Sequence, residues 1–128
     1  MNEKIDPEKF YEMQVLEEQI KMTQQMLENA SEQLSMVKGT VISLNEFSEL
    51  SGKEEFLFPL ANGILATGKL EGKKLLVNVG AGVVKEKSIQ ETITSLKEQE
   101  AEVTQFIRNL EQQYTELISK IEEFKDIR

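Results

Sequence analysis

Few side chains in this 128-residue chain can carry out bond-making chemistry. The sequence has no His and no Cys, which removes the commonest general base and metal ligand and the strongest nucleophile. Its 23 acidic residues include neighbours such as Glu54-Glu55 and Glu122-Glu123. Adjacent residues on a helix point about 100° apart, so such a pair cannot chelate one ion. We therefore predict that the protein is not an enzyme and has no catalytic residue and no metal site.

A glycine cluster at Gly80-Ala81-Gly82 resembles a fragment of a phosphate-binding loop. The neighbouring residues do not complete either common phosphate-loop motif, and no helix start follows directly. A tight turn between two strands explains these glycines better. We therefore predict no cofactor and no cofactor-binding residue.

The charge and the hydropathy disfavour two classes of partner. A formal net charge of −8 does not attract a phosphate backbone, and no apolar run approaches the roughly 20 residues that span a bilayer. We predict a cytoplasmic protein that binds neither nucleic acid nor membrane. The charge is also uneven, because residues 1–20 and 111–128 together hold eleven acids and five bases, whereas residues 52–87 hold six bases and four acids.

Two long segments must position these residues. Each carries an apolar seam with alternating steps of three and four, which in the second segment is interrupted by the charged seam position Glu100. A repeat averaging about 3.5 residues is typical of a left-handed coiled coil. Helix-start signals at Asp6-Pro7 and Ser88 predict helices over residues 7–50 and 88–127, and their similar lengths predict antiparallel pairing. The seam residues are Met13, Leu16, Ile20, Thr23, Leu27, Ala30, Leu34, Val37, Val41 and Leu44, then Ile89, Ile93, Leu96, Val103, Ile107, Leu110, Tyr114, Leu117, Ile121 and Phe124.

Between the helices, residues 56–87 contain four short β-type runs, over 56–61, 64–70, 75–79 and 83–87. Asn62-Gly63 predicts a type I′ hairpin turn, and Gly80-Ala81-Gly82 predicts a second, slightly longer one. Pro59 cannot donate to a ladder, so its strand should lie at an edge or carry a bulge. Isolated hairpins are marginal in water, which predicts assembly with other chains. The predicted oligomerisation residues are Phe56, Phe58, Leu60, Ile64, Leu75, Val77, Val79 and Val83.

The central sequence resembles a known family. Residues 56–63 (FLFPLANG), 68–70 (GKL) and 76–88 (LVNVGAGVVKEKS) are similar to the centre of the prefoldin alpha subunit, and two predicted hairpins favour the alpha class over the beta class. The resemblance implies an α+β fold over residues 1–128 as a single prefoldin-like domain. In that fold a long antiparallel two-helix coiled coil carries two central β-hairpins that join an oligomeric β-barrel hub. Phe56 and Phe58 depart from the pattern, since smaller aliphatic residues are common there.

The resemblance also implies a function. Prefoldin is a jellyfish-shaped hexamer of two alpha and four beta subunits that holds non-native proteins without ATP and passes them to a group II chaperonin. The expected partners are therefore prefoldin beta-type subunits, unfolded client proteins and a group II chaperonin. The alternative is a structural coiled coil, or a filament-forming prefoldin-like assembly protein, without client transfer.

The residues themselves place apolar groups where a holdase needs them, at the helix ends expected to lie far from the hairpins. The coiled coil is expected to fray at these ends and to expose its seam residues. Together with the off-seam apolar residues there, they would form an exposed apolar patch, which usually marks an interaction site. For Phe10 and Ile118 taken singly, a widened seam is an equally good explanation. Elsewhere, off-seam Met22, Met26 and Met36 have flexible side chains that can adapt to varied partners, although their helical spacing favours core or lateral packing. The predicted client-binding tip comprises Phe10, Met13, Val15, Leu16, Leu117, Ile118, Ile121, Phe124 and Ile127.

Overall fold

A computed structural model, which describes residues 6–126, contains two long helices and two β-hairpins. Contacts divide it into two compact units: the residues up to Met36 with those from Glu100 onward, here the helix-end unit, and the residues from Val37 to Gln99, here the hairpin unit. The elements in chain order are α1 (Pro7–Ser48), β1 (Glu55–Ala61), β2 (Ile64–Lys69), β3 (Leu75–Gly80), β4 (Val83–Lys87) and α2 (Ile89–Asp126).

The helix α1 begins at the predicted Pro7, and α2 begins at Ile89, one residue after the predicted start. Hydrogen bonds confirm the predicted capping roles of Asp6 and Ser88. The Glu8 backbone N–H donates to Asp6 Oδ1 at 3.1 Å, and the Glu91 N–H donates to Ser88 Oγ at 3.0 Å. In each case the side chain satisfies a backbone donor that has no partner inside the helix. The helix α2 ends at Asp126, and the predicted last residue, Ile127, lies outside the described residues.

The first helix ends at Ser48, two residues before the predicted end. Lys73, from the link between the hairpins, donates from Nζ to the Ser48 carbonyl oxygen at 2.7 Å. A cation at a helix C-terminus satisfies a free carbonyl and interacts favourably with the helix dipole. The stop at Ser48 is therefore reinforced by a residue 25 positions later, which no local pattern could show.

In the helix-end unit, α1 and α2 pair antiparallel. Gln24 Nε2 donates to Tyr114 Oη at 3.2 Å, whereas Ala30, later in α1, shares a buried cluster with Val103 and Leu110, earlier in α2. Each predicted seam residue of this unit is buried or half-buried. The heptad prediction is confirmed, because the residues that repeat every 3.5 positions are those that the partner helix covers.

The hairpin unit contains two separate two-stranded antiparallel sheets, β1 with β2 and β3 with β4. The first turn is the predicted Asn62-Gly63, with both residues at positive φ. The prediction of a longer second turn is wrong, because Gly80 pairs with Val83 and leaves a loop of only two residues. Ala81 makes this possible by adopting a φ of 51°, a left-handed conformation that alanine rarely takes.

Each hairpin carries an irregularity at the same distance from its turn. The register shifts between Pro59 and Ala61 in β1 and between Asn78 and Gly80 in β3. The prediction that the strand of Pro59 lies at an edge or carries a bulge is therefore confirmed, since β1 is an edge strand and its register shifts beside Pro59. In the second hairpin the Gly80 N–H donates to Asn78 Oδ1 at 2.9 Å, which satisfies a donor close to the shift. The two hairpins thus repeat one backbone design.

Candidate functional site

An open cleft of about 320 Å³ lies between the first turns of α1 and the last turns of α2. Tyr11 and Val15 lie one helical turn apart in α1, and Lys120 and Phe124 lie one turn apart in α2. Because the helices run antiparallel, these turns meet at one end of the pair. The cleft, called the tip cleft below, is lined by Tyr11, Glu12, Val15, Leu16, Lys120 and Phe124.

The structure brings only part of the predicted tip set into this cleft. Val15, Leu16 and Phe124 line it. Phe10 is exposed but lies outside the lining, and Ile118 is half-buried, which agrees with a widened seam. Of the other predicted tip residues, Ile121 is buried, Met13 and Leu117 are half-buried, and Ile127 lies outside the described residues.

Sequence reasoning missed Tyr11, which is 67% exposed and the most exposed apolar side chain of the cleft, beside Val15 at 37%. The signal was available, since Tyr11 precedes Val15 by four residues and therefore shares its helix face. Glu12 and Lys120 were also missed as lining residues. They make the cleft an apolar surface with one carboxylate and one ammonium group at its walls.

The first hairpin presents apolar side chains on both faces. Phe56 and Phe58 share one face, with ring centroids 6.3 Å apart. A Cβ added at Gly68 would lie 3.0 Å from Phe58 Cε2, so the Phe58 ring covers that glycine. Leu57 and Leu65 lie on the opposite face and are exposed, so neither face is shielded from water.

The second hairpin repeats this arrangement. Leu75 and Val77 are half-buried on one face, whereas Leu76 and Val84 are exposed on the other. Of the predicted oligomerisation residues, Phe56, Leu75 and Val77 are half-buried, and Phe58, Leu60, Ile64, Val79 and Val83 are exposed. The predicted oligomerisation set did not include the exposed residues of the opposite faces, Leu57, Leu65, Leu76 and Val84.

The loop that joins α1 to β1 is held by a single carboxylate. Ser51 donates to Glu54 Oε1 from its N–H at 3.2 Å and from its hydroxyl at 2.9 Å, and the Gly52 N–H donates to Glu54 Oε2 at 3.1 Å. These hydrogen bonds, the Ser51 N–H first among them, favour the charged carboxylate and lower the pKa of Glu54. The loop is therefore ordered by its own side chains.

Residues 6–126 contain no group of three or more His, Cys, Asp or Glu side chains that could hold a metal ion. Neither described helix is long and apolar enough to cross a membrane.

Two long antiparallel helices joined through two β-hairpins, with apolar strand residues exposed, define a coiled-coil protein with a small β region. The family model described as prefoldin subunit matches residues 16–127. The chain therefore belongs to the prefoldin family, whose members are chaperones that assemble with other prefoldin subunits. This confirms the resemblance seen in the hairpin sequence and the fold class that it implied.

Two known proteins illustrate the similarity. Prefoldin subunit alpha of Thermofilum pendens (strain DSM 2475 / Hrk 5) is 23% identical over 115 residues, which cover 89% of each chain. The structure of filamentous PFD from Methanocaldococcus jannaschii matches with a TM-score of 0.73 and 19% identity, over 90% of this chain and 96% of the other. The second match shows the fold, and the first names the alpha class that the two hairpins favour.

Proposed function

We propose that the protein is an ATP-independent holdase subunit that binds non-native proteins at its helix ends and delivers them to a group II chaperonin. The observation that carries the proposal is the tip cleft, where Tyr11 and Val15 are exposed beside half-buried Phe124. An exposed apolar patch of this kind usually marks an interaction site. Contacts to one such cleft are weak, but several arms that engage one unfolded chain raise the avidity.

The hairpins supply the assembly in this proposal. Two copies of the chain join four beta-type subunits through the apolar strands, and the complex works in the cytoplasm without a cofactor or a catalytic step. Covering the strands would remove exposed apolar surface and pair the strand edges.

The acidic helix ends suit a further step, docking onto a basic surface of the chaperonin. Charge complementarity would accelerate that encounter, and salt would slow it. Handover rates measured at increasing salt test this step, and a rate that does not change with salt would contradict it.

The holdase proposal is tested by diluting a denatured test protein into the purified oligomer and recording light scattering. Phe10→Ser combined with Phe124→Ser removes apolar area at the helix ends. We expect this variant to need about three- to tenfold more chaperone for the same suppression, with an unchanged oligomer mass. Phe106→Ser is the control, because Phe106 is an exposed phenylalanine in the middle of α2, away from the helix ends. If the wild-type complex leaves aggregation unchanged, the proposal is wrong.

The second candidate is a filament-forming or structural assembly protein without client transfer. The observation in its favour is the fold match to a filamentous PFD. Electron microscopy and native mass measurement of the chain, alone and with beta-type subunits, separate the candidates. Long homopolymers that do not suppress aggregation would favour the second candidate, and a closed hetero-oligomer that does suppress it would favour the first.

A further inference from the structure

The apolar surface of the tip cleft continues along the outside of α1. After Tyr11 and Val15 come Met22 and Met26, which are 62% and 42% exposed. The steps of four, seven and four residues keep all four side chains on one helix face. At 1.5 Å per residue the strip is about 22 Å long. We call these four residues the apolar strip.

Two carboxylates lie beside the residues of the apolar strip. Glu12 lines the tip cleft, and Glu18 follows Val15 by three residues and precedes Met22 by four, so it occupies the same helix face. Among residues 6–126, no cation lies within ion-pairing distance of either carboxylate. Both glutamates are exposed, so their charges are now stabilised by water.

A ligand that covers the strip must take these carboxylates out of water. Burying a charge is costly unless an opposite charge and hydrogen bonds replace the lost hydration. The surroundings have the same sign, because residues 6–21 and 111–126 together hold ten acids and four bases. A neutral or acidic apolar segment would therefore bind with an uncompensated cost, whereas Lys or Arg side chains beside its apolar residues would remove that cost.

We propose that the strip binds cationic amphipathic helices presented by non-native proteins. The inference rests on the proposed function and names the class of client segment that it selects. A helix fits because the strip is a row of side chains at helical spacing, and two helices pack when such rows interdigitate. Four turns of a partner helix match the strip in length, and the flexible methionines adapt to different apolar faces.

The test uses the full-length protein in its native oligomer and three synthetic peptides about 18 residues long, which is enough to cover the strip. The first carries leucines at the spacing of the strip residues and lysines on its other face. The second has glutamate in place of every lysine. The third has the same composition as the first, but its leucines are distributed around the helix and do not share one face. Fluorescence anisotropy measures each affinity at low salt and at about 0.5 M salt.

We expect the cationic helical peptide to bind about tenfold or more tightly than the other two at low salt, with most of its advantage over the acidic peptide lost at high salt. Glu12→Gln combined with Glu18→Gln should lower the affinity for the cationic peptide about fivefold. The matched control is Glu28→Gln with Glu32→Gln, which removes two exposed charges from the same helix outside the strip. Met22→Gln combined with Met26→Gln should lower the affinity for the cationic peptide, and this affinity should still depend on salt.

Equal affinities for the cationic and acidic helical peptides would overturn the charge selectivity, and tight binding of the third peptide would overturn the helical requirement. An equal effect of the two glutamate pairs would show that net charge acts without the strip. Failure of the inference can be told apart from failure of the holdase proposal by the light-scattering assay. If the wild-type complex protects a denatured protein but does not prefer the cationic peptide, only the inference falls.

Discussion

The hairpins and the helix ends both leave apolar side chains in water, but their backbones differ. In the hairpins, Leu76 is 76% exposed, and each two-stranded sheet has two edges whose N–H and C=O groups point outward. At the helix ends, Tyr11 is similarly exposed, yet it stands on a helix whose backbone groups are already bonded internally. The apolar surfaces are alike, and the hydrogen-bonding surfaces are not.

This difference determines what each region can bind. A strand edge requires a partner strand in one register, because its hydrogen bonds are directional and a slip of one residue exchanges the faces. A helix face offers only side chains, so it does not require one backbone register, and the charges beside its apolar residues select among segments with apolar groups at a suitable spacing. The hairpins therefore suit specific, lasting assembly, and the helix ends suit weak binding of varied sequences.

The largest predicted effect comes from placing a charge in the hairpins. Val77 is half-buried and lies directly opposite Lys85. Val77→Lys would set two ammonium groups face to face and bury one of them in the assembly, at a cost of about 3 kcal/mol or more for each interface. We expect the oligomer to dissociate, as measured by native mass spectrometry.

Val77→Ile is the control for this prediction, because it keeps the apolar character and adds one methylene. It should assemble normally, and both variants should keep the far-ultraviolet circular dichroism of the long helices. If Val77→Lys retained the wild-type mass, the hairpins would not be the assembly surface, and the contrast with the helix ends would fail.

The features predicted from the sequence are those that depend on local geometry. The seam follows from the 3.5-residue repeat alone, and the cap at Ser88 follows from its hydroxyl and its position. The length of the second turn was missed because Ala81 adopts a conformation that is unfavourable for its residue type. The role of Lys73 at the end of α1 and the lining by Lys120 depend on contacts between residues distant in sequence, which no local pattern records.

A second prediction separates the helix seam from the assembly surface. Leu110 is 3% exposed and belongs to the core cluster. Leu110→Ala should leave a cavity and lower the free energy of unfolding of the helix-end unit by about 2–4 kcal/mol, whereas Leu110→Met should cost less than about 1.5 kcal/mol. Urea unfolding measures the loss. The oligomer mass should stay unchanged, and its loss in Leu110→Ala alone would show that the two regions are coupled.

A third and smaller effect compares the two hairpins with each other. Asn62 and Ala81 occupy equivalent turn positions, each with a φ of 51°. Asparagine tolerates this conformation better than alanine, so Ala81→Asn should stabilise the second hairpin by about 0.5–1 kcal/mol. Asn62→Ala should destabilise the first by a similar amount. Thermal unfolding of both variants measures the two changes in stability. If the two melting temperatures shifted in the same direction, the turns would not be equivalent.

The smallest effect concerns the Ser51–Glu54 loop of the hairpin unit, where a side chain rather than a sheet orders the backbone. Hydrogen bonds from Ser51 and Gly52 lower the pKa of the Glu54 carboxyl in the folded chain. Its contribution to stability is therefore fully present above the unfolded-state pKa and is lost as the pH falls through the lowered folded-state pKa. NMR titration should show the Ser51 and Gly52 amides shifting together with that carboxyl.

Glu54→Gln should abolish these amide shifts, whereas Glu55→Gln, the neighbouring control, should leave them in place. If the Ser51 and Gly52 amides titrated in the same way in both variants, the carboxylate would not order the loop. The stop of α1 at Ser48 would then depend on Lys73 without help from the loop. In that case the sheets, and not the Glu54 side chain, would order the connection into the hairpins. The hairpins would then depend on backbone pairing even more than the helix ends, which depend on side-chain packing.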